Sequence, residues 1–144
     1  MKLKCIYFLT IFLFLSCSES KYENNIPYHK VNFQVFPFID FDKKLTSPGG
    51  CVIVGCNHRG SSCGYQDHGV IVCRMMTSDA YAAYAATCPV DLTKLQIVND
   101  AVLKVKCSKC NRIFELDNDG LCGNVRLTRY RVTMHVQYFM VTNY

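Results

Sequence analysis

The sequence has no tryptophan, no dense run of basic residues, no glycine-rich phosphate fingerprint and no apolar stretch long enough to cross a bilayer as a helix. Each absence excludes something. Without a Gly-x-Gly-x-x-Gly or P-loop pattern, a nucleotide enzyme of the βαβ kind is ruled out. The 16 Lys and Arg stand against 11 acids, a net charge of +5. Lys2 and Lys4 sit in a leader, so fourteen against eleven remain, a net +3 too mild and too dispersed to mark a nucleic-acid partner. The longest apolar run, Cys5 to Leu15, falls well short of the ~20 residues of a spanning helix. No apolar stripe repeats at 3.6 residues, and there is no internal repeat or low-complexity tract. No paired His and nucleophile and no paired carboxylates stand out, so hydrolytic chemistry is not indicated and a non-enzyme is expected. What the 144 residues do contain is enough apolar content (50%) for one packed domain, and ten cysteines.

The positive start at Lys2 and Lys4, followed by the Cys5–Leu15 core, reads as a signal peptide over residues 1–16. Leu15-Ser16-Cys17 resembles a bacterial lipoprotein cleavage site, although Phe14 stands where an aliphatic residue is usual. The resemblance implies that Cys17 is lipidated and that the chain is held at a membrane of the bacterial cell envelope, facing the periplasm or the exterior. Two or three acyl chains anchor firmly where one does not. Residues 17–25 then form a lipidated polar tether, and residues 26–144 the domain. Disulfides persist outside the cytosol. Eight cysteines remain to be assigned there: Cys51, Cys56, Cys63, Cys73, Cys88, Cys107, Cys110 and Cys122.

The mature chain reads as a series of short strands. Val31, Phe33 and Val35 alternate with other residues up to Pro37. Cys51–Val54 and Val70–Arg74 are β-branched, and the loop-like Gly55–Gly69 lies between them. Tyr81–Ala86 is expected to be a strand. Leu95–Val98 and Val102–Lys106 flank Asn99-Asp100 as a hairpin. Ile113–Leu116 precedes the turn Asp117-Asn118-Asp119-Gly120, and Val125–Tyr130 and Thr133–Thr142 end the chain. Strands at this spacing predict an all-β sandwich or small barrel.

Thr87-Cys88-Pro89-Val90, a hairpin, Cys107-Ser108-Lys109-Cys110-Asn111-Arg112-Ile113-Phe114 and then Asp119-Gly120 resemble the Rieske iron–sulfur domain, as in Rieske-like lipoproteins of Bacteroidetes-type bacteria. That family clasps a 2Fe–2S cluster between Cys-x-His and Cys-x-x-His loops at the tips of two neighbouring hairpins. The resemblance implies a small β-barrel or sandwich whose two loops, Thr87–Val90 and Lys106–Phe114, lie side by side. The cluster motif is degenerate. Val90 stands at the first His position and cannot ligate iron, while Cys110 stands at the second, so a cluster with two His ligands is excluded at this site. Asn111 replaces a glycine, which its tolerance of left-handed backbone allows.

Three readings of these thiols stay open. Cys88 pairs with Cys107 or Cys110 in a disulfide, leaving a non-catalytic domain with no cofactor. Alternatively, Cys88, Cys107, Cys110 and Cys122 form an all-thiolate site for zinc or a 2Fe–2S cluster, with electron transfer to a redox partner if iron is bound. In the third, Cys107 and Cys110 act as a redox dithiol. In the 55–69 loop, Cys56, His58, Cys63 and His68 are a second candidate zinc set, against a loop stapled by Cys56–Cys63 or bridged to Cys51 and Cys73. Cys51 and Cys73 form either a cross-strand pair or two buried free thiols. His29 and His135 have no acidic or Cys neighbours and read as surface residues. The basic set Lys104, Lys106, Lys109, Arg112, Arg126, Arg129 and Arg131 reads as a solvated face.

Overall fold

The computed structural model describes residues 22–59, 64–99 and 102–144. The leader, Cys17 and the first residues of the tether lie outside the described residues, as does Cys63. The expected all-β architecture holds. Among the described residues eleven strands form: β1 (Asn32–Val35), β2 (Cys51–Val54), β3 (Val70–Arg74), β4 (Tyr81–Ala85), β5 (Leu95–Ile97), β6 (Lys104–Cys107), β7 (Ile113–Glu115), β8 (Leu121–Cys122), β9 (Val125–Arg126), β10 (Arg129–Met134) and β11 (Phe139–Thr142). They make two antiparallel sheets, a curled six-stranded one in the order β1-β11-β10-β4-β3-β2 and a five-stranded one in the order β5-β6-β7-β8-β9.

The period of two in β3 and β4 builds both cores at once. Val70 and Val72 of β3, with Ala83 and Ala85 of β4, face Val31, Phe33, Val35, Leu45, Phe139 and Val141 inside the curl of the large sheet. Ile71 and Cys73, with Ala82 and Tyr84, face Leu95, Val105, Cys107, Phe114, Leu116 and Leu127 between the two sheets. A strand buried on both faces needs apolar residues at every position, which is why Val70-Ile71-Val72-Cys73 shows no alternation. Tyr84 is the polar exception in the second core. Its ring fills the space beside Gly120, and its hydroxyl donates to the Leu116 carbonyl at 2.9 Å.

The hairpin expected around Asn99-Asp100 is present, with Leu95 opposite Cys107 and Ile97 opposite Val105. The strand expected over Val125–Tyr130 is two. Leu127 still donates to Gly120 of the small sheet, whereas the Thr128 carbonyl already accepts from Ala85 of the large one. The chain changes sheets between these residues, and one continuous strand cannot serve both ladders. The stretch over Thr133–Thr142 also breaks, at a turn where the His135 N–H bonds the Tyr138 carbonyl, and it pairs with itself as β10 and β11. The irregular Phe38–Lys44 region becomes a 3-10 turn, Asp40–Thr46, with Phe41, Asp42 and Lys43 all left-handed. Tether residues Glu23 to Asn25 lie against the domain. Glu23 bridges to Val125, and Asn25 donates to the Pro89 carbonyl at 3.2 Å.

Candidate metal centre

Two hairpin loops meet at one end of the small sheet, and they are built alike. In the first, Thr87 bridges Lys94, the Cys88 N–H bonds the Thr93 carbonyl at 2.8 Å and the Leu92 N–H bonds the Cys88 carbonyl at 3.0 Å. In the second, Lys106 pairs with Ile113, the Cys107 N–H bonds the Arg112 carbonyl at 2.9 Å and the Asn111 N–H bonds the Cys107 carbonyl at 3.0 Å. The same offsets recur in both. The residue closing each turn is left-handed, Leu92 at φ 55° and Asn111 at φ 60°. Asn accepts that conformation readily, but Leu does so at a cost of about 1–2 kcal/mol. Such a cost at a loop tip marks a constraint imposed by the surroundings.

The loops are also alike in where their amides point. The Val90 and Asp91 amides favour the Cys88 thiolate, and the Lys109 and Cys110 amides favour the Cys107 thiolate. Donors two and three residues beyond a cysteine stabilise its thiolate, the form that binds metals. At Cys107 burial pushes the thiol pKa up. The two amides, with the Thr93 hydroxyl and the Cys110 thiol, pull it down, and the net value lies below that of an ordinary thiol. At Cys88 burial is the larger effect and, with the neighbouring thiols, carries the pKa up to about 12 against the same kind of amide pull. Asp91 is held below the usual carboxylate value, chiefly because the Cys110 thiol donates to it.

The ligand atoms of Cys88, Asp91, Cys107 and Cys110 all lie within 4.8 Å of one another. Cys88 Sγ is 3.8 Å from Cys110 Sγ and 3.7 Å from Asp91 Oδ2, and Cys107 Sγ is 3.4 Å from the same carboxylate oxygen. Zinc bonds of about 2.3 Å to sulfur and 2.0–2.2 Å to oxygen put tetrahedral corners about 3.8 Å apart for two sulfurs and about 3.5 Å apart for sulfur and oxygen. Three of the six edges therefore match those of a tetrahedral ion, and all six lie within 4.8 Å. Arg112 contributes positive charge beside the Cys110, Cys122 and Cys88 sulfurs.

These positions correct several expectations. Cys88, Cys107 and Cys110 are free, so the disulfide expected at Cys88 is not formed. The 3.8 Å between Cys88 and Cys110 is far from an S–S bond of about 2.05 Å. Cys122 is free and packs against the inter-sheet core from β8, outside the group of four, where Asp91 takes the remaining corner. Of the second candidate zinc set, Cys63 lies outside the described residues, and the other three are engaged elsewhere. Cys56 is bonded in a disulfide, which removes its thiolate. The His58 Nε2 lies 3.1 Å from the Gln34 carbonyl and 3.5 Å from Asp40, and the His68 Nδ1 lies 3.0 Å from the Thr87 hydroxyl. The two histidines are committed to different parts of the scaffold. His29 Nδ1 meets the Tyr28 carbonyl, and His135 stacks on Tyr138. In the basic set, Lys104 pairs with Glu115, and Arg126 and Arg129 both pair with Asp119.

Asp91 is the residue that sequence reasoning missed. The signal was present, because Cys88-Pro89-Val90-Asp91 repeats the spacing of Cys107-Ser108-Lys109-Cys110. Attention to a His position at residue 90 hid the ligand one residue later.

No protein-family model matches the chain, and no curated protein matches it closely enough to count as a relative.

Proposed function

We propose that the protein is an exported lipoprotein, anchored through Cys17, whose all-β domain binds one zinc ion through Cys88, Asp91, Cys107 and Cys110 and has no catalytic role there. The observation that carries the reading is the pair of matched loops, with the same backbone hydrogen bonds at the same offsets and each presenting two ligands three residues apart. Four protein ligands fill a tetrahedron and leave no open position, the mark of a structural site rather than a catalytic one. A 2Fe–2S cluster distributes its ligands over two irons and so spreads them wider than the bonding shell of a single ion, and the compact set here favours one ion. The paired hairpin loops support the kinship to Rieske-like domains, with the cluster replaced by a single metal.

Zinc in this position would join the β4–β5 and β6–β7 loops, which the short β5–β6 ladder links at the level of the strands. Binding to the folded state alone stabilises it in proportion to the logarithm of metal concentration over Kd. The test is elemental analysis of the chain purified without chelator, alongside its absorption spectrum. One zinc per chain and no visible colour is the expected result. Two irons per chain with a coloured spectrum replaces it with the cluster reading. A metal-free chain whose melting temperature is indifferent to both zinc and chelator overturns metal binding altogether.

A further inference from the structure

Cys51 and Cys73 lie outside the metal centre, and the ladder sets them directly opposite each other on antiparallel β2 and β3. The Arg74 N–H bonds the Gly50 carbonyl at 2.9 Å, making the preceding Gly50–Arg74 position the hydrogen-bonded kind. Because the two kinds alternate, Cys51–Cys73 is a non-hydrogen-bonded pair, where opposed Cα atoms approach to about 4.5 Å and side chains are closest. That separation falls inside the window of about 4.4–6.8 Å that a disulfide spans. Both side chains point to the same side, Cys73 within the inter-sheet core and Cys51 packed against it. Both thiols are free, and the Cys73 thiol donates to the Ala82 carbonyl at 3.7 Å. The neighbouring Cys51 thiol, followed by burial, drives the Cys73 pKa far above the ordinary thiol value. They differ in access. Cys73 is fully buried, whereas Cys51 lines a surface cavity of about 290 Å³ with Phe41, Lys44, Ile53 and Ile97.

We infer that Cys51 and Cys73 are an oxidisable pair, joined across β2 and β3 into a disulfide by a small-molecule disulfide that enters at Cys51. The Cys51 thiolate attacks one sulfur of the reagent, forming a mixed disulfide and releasing one small thiolate. Cys73 then attacks the Cys51 sulfur, forming the Cys51–Cys73 bond and expelling the second thiolate. The two protein thiols lose two electrons, which reduce the reagent's S–S bond, and their two protons pass to the departing thiolates. Neither residue belongs to the four metal ligands, so the pairing stands or falls independently of the proposed zinc site.

The test treats the full, zinc-supplemented chain with oxidised glutathione, alkylates residual thiols after denaturation and maps the unreduced peptides. The expected map joins the Cys51 peptide to the Cys73 peptide, lighter by two hydrogens than the sum of the two. In Cys73→Ala, Cys51 retains a glutathione adduct. In Cys51→Ala, Cys73 is recovered alkylated. A wild-type map with both residues alkylated, or with Cys51 bonded to any other cysteine, overturns the pairing. A glutathione adduct on Cys73 in Cys51→Ala overturns the access route. Because the wild-type map needs no substitution, poor folding of either variant leaves the test decisive.

Discussion

Replacing Asp91 separates its role as a ligand from its role as a loop residue. The native set offers three sulfurs and one oxygen. In Asp91→Cys the first loop acquires the Cys-x-x-Cys spacing of the second, whose hydrogen bonds it already shares. With cobalt in place of zinc, absorption in the near ultraviolet arises from thiolate-to-metal charge transfer and scales with the number of thiolates. Going from three sulfurs to four should raise it by about one third, whereas Cys110→Ser should lower it by about one third. Asp91→Ala should leave the intensity near the native level and weaken the affinity. If a structural zinc site contributes about 10–16 kcal/mol, an equal share per ligand is about 2.5–4 kcal/mol, or two to three powers of ten in Kd. Cobalt titrations of the three variants, with zinc competition to extract Kd, measure both quantities. An Asp91→Cys spectrum no stronger than native, or an Asp91→Ala chain that binds as tightly as native, refutes the assignment of Asp91 to the fourth corner.

Other expectations follow from the scaffold. Tyr84→Phe removes the hydroxyl that donates to the buried Leu116 carbonyl and should cost about 1–3 kcal/mol in denaturant unfolding. Gly69→Ala should cost at least about 2 kcal/mol, because a Cβ there meets the Val54 carbonyl at 2.7 Å and φ is +97°. Burial raises the Asp40 pKa, but hydrogen bonds from Arg59 and the Phe36 amide and the charges of Arg59 and His58 outweigh it, and the net pKa is lowered. Its contribution is therefore present above the unfolded-state pKa and lost as the pH falls through the folded value. Asp40→Asn should flatten the acid limb of a stability–pH profile below about pH 4 and leave the neutral region's slope unchanged. Cys17→Ser should move the chain from the membrane fraction to the soluble one.

The strands were legible wherever one rule governed them. Cys51–Val54 and Val70–Arg74 are strands with the bounds their β-branched residues suggest, and the hairpin across Asn99-Asp100 was marked by turn residues between alternating runs. Legibility failed where the chain serves two masters. Val125–Tyr130 has an unbroken strand composition, yet its two ends belong to different sheets, and only the tertiary ladder reveals the break. At the site, the side-by-side placement of the Cys88 and Cys107 loops was expected from the resemblance to Rieske-like domains, and the sulfurs and carboxylate of the two loops do meet. The identity of the fourth corner was not. Whether Cys122 or Asp91 arrives there depends on a loop conformation that includes a left-handed leucine, which no local preference predicts.

The lead-in segment at Glu23 to Asn25 has a further meaning for orientation. By bonding to Asn124, Arg126 and Pro89, it ties the first described residues of the chain to the loop that carries Cys88. Five peptide steps separate Cys17 from Tyr22, a covalent reach of at most about 18 Å. An acylated Cys17 would therefore work as a short leash rather than a long stalk. On the proposed lipoprotein reading, the loop carrying Cys88 would be held near the lipid headgroups.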